Sequence, residues 1–233
     1  MKLGLVLKLV LLSGVLTATL CCVQPNVKRV AQTIEWGLPP KLLAEKSEVM
    51  MCAMIGKEAP YLTEWVAYHR LIGVSRFLLF ELNTDNATRA VLKSLSHAAE
   101  VVSVPETAWL PEKQLSHTRL ANWVNNGECQ IIVMKACQLL AKRLAWWVLV
   151  IDPDEFVVGG KPQLFSRWLA RTRTDSKMGA VVLTMVNYGS NGHLTRPEGL
   201  LALEAFNKEH HGRDNWDKLV SFTPAVRERQ LLL

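Results

Sequence analysis

Val148-Leu149-Val150-Ile151 form an unbroken apolar run that stops at Asp152-Pro153-Asp154-Glu155-Phe156. An apolar run without polar alternation suits a strand buried on both faces of a sheet, so the rest of the chain has to supply helices on either side. In open α/β sheets, ligands gather beyond the carboxyl ends of the strands. Two carboxylates at i and i+2 in that place can grip a hard divalent cation through oxygen, and a nucleotide diphosphate would add further oxygens. Pro153 fixes one backbone angle between the two acids and stiffens the turn. A lone Asp-x-Asp is usually a solvated turn, but acids that end a core strand are poorly explained as a surface loop.

The flanking sequence supplies the alternation that such a strand requires. Val49–Ile55, Arg76–Glu81, Val101–Val104 and Ala180–Val186 read as further strands, and 147–151 as the strand before the acids. Between them, Tyr61–Ile72 places Leu62, Trp65, Val66 and His69 on one helical face, with Gly73 as the stop. Residues 88–97, Glu128–Leu144 (apolar at Ile132, Ala136, Leu139 and Leu140) and Leu164–Arg173 also read as helices. Residues 105–127 show no period and form a long polar connection, of a length that is often functional. Strands alternating with helices predict an α/β fold with a mostly parallel sheet flanked by helices.

At 233 residues the chain is long enough for one sizeable core. Residues 1–23 are apolar apart from Lys2, Lys8 and a few Ser and Thr. They read as a signal peptide or a signal-anchor, with the anchor favoured, so a membrane is an expected partner. Residues 24–47, punctuated by Pro25, Pro39 and Pro40, read as a stem, and 48–233 as the folded domain. The net charge of +6 is spread out, and no Lys/Arg block argues for nucleic acid. Eight Trp do not by themselves argue for sugar stacking, because Trp65 and Trp147 fall on expected core faces. The cysteines Cys21, Cys22, Cys52, Cys129 and Cys137 make no metal-ligand pattern, and no disulfide framework can be read from them. Asn86-Ala87-Thr88 is a glycosylation sequon, accessible only in a secretory compartment.

Several motifs then line up in order. Cys52–Leu62, Glu64-Trp65-Val66-Ala67-Tyr68-His69 and Leu71-Ile72-Gly73-Val74 resemble the opening of glycosyltransferase family 92 and of related glycosyltransferase 2-like sequences. Phe80-Glu81-Leu82-Asn83-Thr84-Asp85 resembles that family's Tyr-Asp-Asn-x-Ser-x-Asp loop. Gln130 with Cys137 is similar to its helix before the acidic strand, and Ile151–Phe156 to its Asp-x-Asp-Glu-Phe. Asn187–His193 and Arg196–Leu200 resemble its Phe-Gly-Ser-Ser-Gly-His and Arg-Pro-x-Gly-Leu. Together the resemblances run over residues 50–220.

The resemblance implies a GT-A fold and an inverting transfer of a sugar from a UDP-sugar to an acceptor glycan. Galactose is the sugar moved by some members. It further implies a divalent metal, commonly manganese, and a secretory-pathway enzyme of the Golgi or ER membrane. Asp152 and Asp154 carry over as the metal and diphosphate contact. Glu58, Glu81 and Asp85 follow the first two strands, where a carboxylate can accept hydrogen bonds from a nucleoside, and His193 follows a Gly-rich loop that could meet donor, acceptor or metal. Each has a plain structural alternative as a surface or core residue. Glu155 reads as a helix-starting residue, with a supporting role behind the metal contact as the alternative. The catalytic base is open among Glu198, Glu204 and Asp217. Departures from the pattern are Gly56-Lys57-Glu58 for Lys-Asn-Glu, Glu81 for Asp, and the end of the chain at Leu233. They leave a second reading: a catalytically inactive, shortened relative that acts as a membrane-anchored binding module. A generic phosphotransfer enzyme lacks support, because no P-loop is present.

Overall fold

The computed structural model describes residues 27–97, 100–110, 128–158, 161–174, 179–184, 188, 197, 200–205 and 217–222, with 128, 184 and 217–222 described through the backbone alone. In chain order the elements are α1 (Val27–Gly37), α2 (Pro40–Ala44), β1 (Ser47–Ile55), α3 (Ala59–Leu71), β2 (Arg76–Glu81), α4 (Asn86–Leu95), β3 (Val101–Val104), α5 (Glu106–Trp109), α6 (Glu128–Leu144), β4 (Ala145–Val150), α7 (Leu164–Thr172), β5 (Ala180–Thr184), α8 (Ala202–Ala205) and β6 (Asp217–Phe222). The strands form one sheet of order β3-β2-β1-β4-β6-β5. β1 pairs in parallel with β2 and β4, and β2 with β3, while β6 runs antiparallel to both β4 and β5. The expected α/β class and mostly parallel sheet are therefore present; β6 was not anticipated.

The apolar runs resolve into two faces. Met50, Cys52, Leu78, Phe80 and Val148 pack on one side, against α1 and α6. Val49, Met51, Ala53, Phe77, Leu79, Trp147 and Leu149 pack on the other, against α3, α4 and α7. Alternation with period two is intact, but both sets are buried, so it does not show as polar alternation in the sequence.

The described part of the expected stem, residues 27–47, is not a linker. Val30, Ala31, Ile34 and Leu38 of α1 and its C-terminal end, and Leu42 of α2, belong to the core on the α6 side. Their spacing is helical, i, i+1, i+4, i+8, and the proline pair that suggested a linker is a helix start: Pro40 occupies the first turn of α2, where its missing N–H costs nothing. Buried Arg76 fastens this segment, its guanidinium donating to the carbonyls of Leu42, Glu45 and Leu144. The segment 1–23 lies outside the described residues, among which no helix is long and apolar enough to cross a membrane.

A disulfide joins Cys52 of β1 to Cys137 of α6 across 85 residues of chain, and Cys129 is a buried cysteine outside that disulfide. The pairing is invisible to sequence spacing because it depends on the central strand meeting a helix that follows much later. Gly73 ends α3 as expected. Its φ of +103° suits glycine, and a Cβ there would stand 1.9 Å from Ser166 Oγ. The turn seats α7 beneath α3, with Gln163 N donating to Leu71 O at 2.7 Å and Ser166 N to Ile72 O at 3.2 Å.

Candidate active site

The chain begins the sheet at its centre, moves outward through β2 and β3, then crosses back to place β4 on the other side of β1. The carboxyl ends of β1 and β4 thus flank a point where strand order reverses, the usual place for a ligand in such sheets. Ile151 N extends the pairing past β4 by donating to Cys52 O at 3.1 Å. Asp152 therefore leaves the sheet beside β1. A turn follows, closed by Glu155 N donating to Asp152 O at 3.0 Å.

Glu155 does not start a helix. Its carboxylate instead accepts the N–H of Asp152 at 3.0 Å, so it stabilises the turn that carries the two acids. Pro153 is buried beneath that turn, Asp152 is half-buried and Asp154 is exposed. Asp152, Asp154, Glu58, Gly56 and Tyr61 line a common cavity of about 310 Å³. A wider concavity of about 560 Å³ lies against Lys28, Arg29 and Trp36 of α1, but it shares none of these acids.

Glu58 is thus brought to the acid pair. Its carboxylate accepts the N–H of Gly56. Burial pushes its pKa up from the ordinary carboxylate value, and the nearby charge of Asp154 adds to the push while backbone hydrogen bonds oppose it. Gly56 approaches the chain just past β2 closely: a Cβ would stand 3.1 Å from Leu82 O.

Glu81 and Asp85 are not brought into this cavity. Glu81 accepts from Ser103 Oγ at 2.5 Å and pairs with Arg89 Nε at 3.6 Å. Asp85 is the N-cap of α4, accepting from Thr88 N at 2.7 Å, and hydrogen bonds from the Thr88 side chain and then its backbone hold its carboxyl below the usual range. Thr88, the third residue of the sequon, is buried, and its hydroxyl accepts the Ala59 N–H at 3.1 Å, while Asn86 is exposed. His193, Glu198 and the side chain of Asp217 lie outside the described residues. Glu204 is exposed and accepts the Leu201 N–H at 3.1 Å, capping its own helix.

Trp65 and His69 were read as a core face and, with Tyr68, as part of a family-like stretch, but not as partners of the acidic turn. Trp65, Tyr68 and His69 send their polar atoms to the backbone just past the acids. Trp65 Nε1 donates to Glu155 O at 2.8 Å, and Tyr68 OH to Val157 O at 3.0 Å. His69 Nε2 accepts from Val157 N at 3.2 Å. The signal available in the sequence is the spacing i, i+3, i+4 of three aromatic rings that each carry a polar atom. Glu64, on the same helix, accepts the N–H groups of Ala202 at 2.7 Å and Leu203 at 3.2 Å.

Comparison with known proteins gives a consistent result. A sequence profile for glycosyltransferase family 92 matches residues 47–199. A glycosyltransferase family 92 protein of Arabidopsis thaliana is 27% identical over 132 residues, which cover 57% of this chain and 20% of that protein. A Ricinus communis protein of the same description is 30% identical over 118 residues, covering 50% of this chain and 18% of its own length. One from Oryza sativa subsp. japonica is 23% identical over 148 residues, covering 64% and 22%. The matched stretch spans about a fifth of the length of these curated relatives.

Proposed function

Because the chain belongs to glycosyltransferase family 92, we propose that it transfers a sugar from a UDP-sugar to an acceptor glycan, with Asp152 and Asp154 holding the diphosphate through a divalent cation. The observation that carries this reading is the gathering of Asp152, Asp154 and Glu58 around one cavity at the point where strand order reverses. Burial, with a smaller push from the Asp154 charge, raises the Glu58 carboxyl above the ordinary carboxylate value there. A hard cation such as manganese fits that donor set of carboxylate oxygens. Among the described residues no group of three or more His, Cys, Asp or Glu side chains is placed to hold a metal ion. When bound, such an ion stabilises the charge that develops on the leaving group.

In the reaction so proposed, the acceptor hydroxyl oxygen bonds to the anomeric carbon as that carbon's bond to the diphosphate oxygen breaks. The bonding pair leaves with UDP, the acceptor proton passes to a base, and the anomeric configuration inverts. Galactose is the sugar we put first among the candidates. His193 is retained as a donor or metal contact, and Glu81 and Asp85 as nucleoside contacts from the neighbouring strand end. The Cys52–Cys137 disulfide supports an oxidising compartment. With the sequon and the apolar segment 1–23, it favours the secretory pathway and attachment to a Golgi or ER membrane.

The deciding experiment is calorimetric titration of UDP into the full chain with and without manganese, beside the Asp152→Asn/Asp154→Asn variant. The expected result is binding that needs both the metal and the acids, with sugar transfer lost in the folded variant. Transfer at the wild-type rate by that variant would overturn the assignment. A folded wild-type protein that binds no UDP would favour the binding-module reading.

A further inference from the structure

The acid pair is a short span between two fixed points. On one side, Ile151 N is bonded to Cys52 O of β1. On the other, the backbone at 155–157 is held by three side chains of α3: the Trp65 indole N–H, the Tyr68 hydroxyl and the His69 imidazole. Phe156 lies against the same group, stacked on His69 at 5.7 Å and 15° and edge-on to Tyr68 at 5.4 Å. Packing alone does not need this arrangement. A phenylalanine at 68 would fill the same space, and a leucine at 69 would suit a buried helix face. What the polar atoms add is direction, because each bond fixes a backbone atom of the loop relative to the axis of α3.

We propose that Trp65, Tyr68 and His69 are positioning residues for Asp152 and Asp154, fixing the separation and direction of the two carboxylates so that they meet a divalent cation without rearranging. The inference rests on the reading of the acid pair as a cation site. Groups that orient metal ligands in this way typically change metal affinity about 10- to 100-fold when removed. Tyr68→Phe removes one hydroxyl from a half-buried ring. His69→Gln keeps an amide oxygen near the place of Nε2, where it can accept the Val157 N–H; His69→Asn is too short to do so.

The test is calorimetric titration of manganese into the full-length protein, using wild type, these three variants and Asp152→Asn/Asp154→Asn, with thermal melts run alongside. Tyr68→Phe and His69→Asn are expected to weaken manganese binding about tenfold or more, and His69→Gln less than His69→Asn. In sugar-transfer assays the loss should appear as a higher manganese concentration at half-maximal rate and disappear at saturating metal; a loss of folded protein would depress the rate at every concentration. Should His69→Asn fail to fold, Tyr68→Phe decides. If wild type binds manganese, the Asp variant does not, and Tyr68→Phe binds as wild type does, the positioning role is wrong and the cation site stands. If wild type binds no manganese, the cation site falls and the positioning role falls with it.

Discussion

His69 Nε2 accepts the Val157 N–H at 3.2 Å while its Nδ1 faces the Trp65 carbonyl at 2.8 Å. Only one protonation state satisfies both contacts: the neutral ring with its proton on Nδ1. A second proton on Nε2 would turn an acceptor toward a donor. Burial already opposes that proton and pushes the pKa down from 6.5 to about 4, while the bond to Trp65 O acts weakly the other way.

A pH dependence of stability follows. The unfolded chain takes up the proton near the ordinary histidine value and the folded chain resists it, so the stabilisation is complete above about pH 6.5 and is lost as pH falls toward 4. At the lower end the loss is on the order of 3 kcal/mol. Urea unfolding at pH 7.5 and pH 5 should show wild type losing stability and His69→Gln losing distinctly less. Parallel losses in the two proteins would show that other groups dominate.

The turn at Gly73 gives a second prediction. Alanine there has to adopt a φ of +103° and place its methyl against Ser166. Backbone strain of this kind costs about 1–3 kcal/mol, and the clash adds to it. Denaturant melts of Gly73→Ala should shift accordingly. Shortening the neighbour in Gly73→Ala/Ser166→Gly should recover the clash component but not the strain. An unchanged melt for the single variant would mean that the α3–α7 junction yields easily.

Much of this architecture was legible in the sequence, for identifiable reasons. β2 at Arg76–Glu81 and α6 at Glu128–Leu144 have the bounds expected from the sequence pattern. The acidic turn was legible because charge follows directly on a buried strand. The helices at 27–44 were missed because Pro39 and Pro40 weigh toward a linker when their place at a helix start is unknown. Trp65 and His69 were legible as core but not as hydrogen-bond partners of the acidic turn, since helical period reports burial and not where a ring nitrogen points. The separation of Glu58 from Glu81 and Asp85 was beyond reach for a similar reason: the latter two are engaged by Ser103, Arg89 and Thr88.

Arg76 carries the third prediction. Its guanidinium forks to the carbonyls of Leu42, Glu45 and Leu144, the first two lying between Lys41 and Lys46. Arg76→Ala should lower stability by about 3 kcal/mol, because buried acceptors lose a charged donor. Arg76→Lys should recover only part of that, as an ammonium group lacks the planar fork. Limited trypsin digestion offers a local readout: cleavage at Lys41 or Lys46 should accelerate in the variants before global unfolding does. Equal cleavage rates would mean that α1 and α2 are held by their apolar residues alone.

Helix α3 meets the chain at Val157 and again at Ala202 and Leu203, and in each case it grips peptide N–H or C=O groups, not side chains. Such a grip is blind to the identity of the residue held. Substitutions at Ala202 and Leu203 can therefore accumulate while these bonds persist, whereas Val157 also packs against the core and Phe156 against His69 and Tyr68. Drift in sequence is then expected to concentrate at 202–203 and to spare Glu64, Tyr68 and His69.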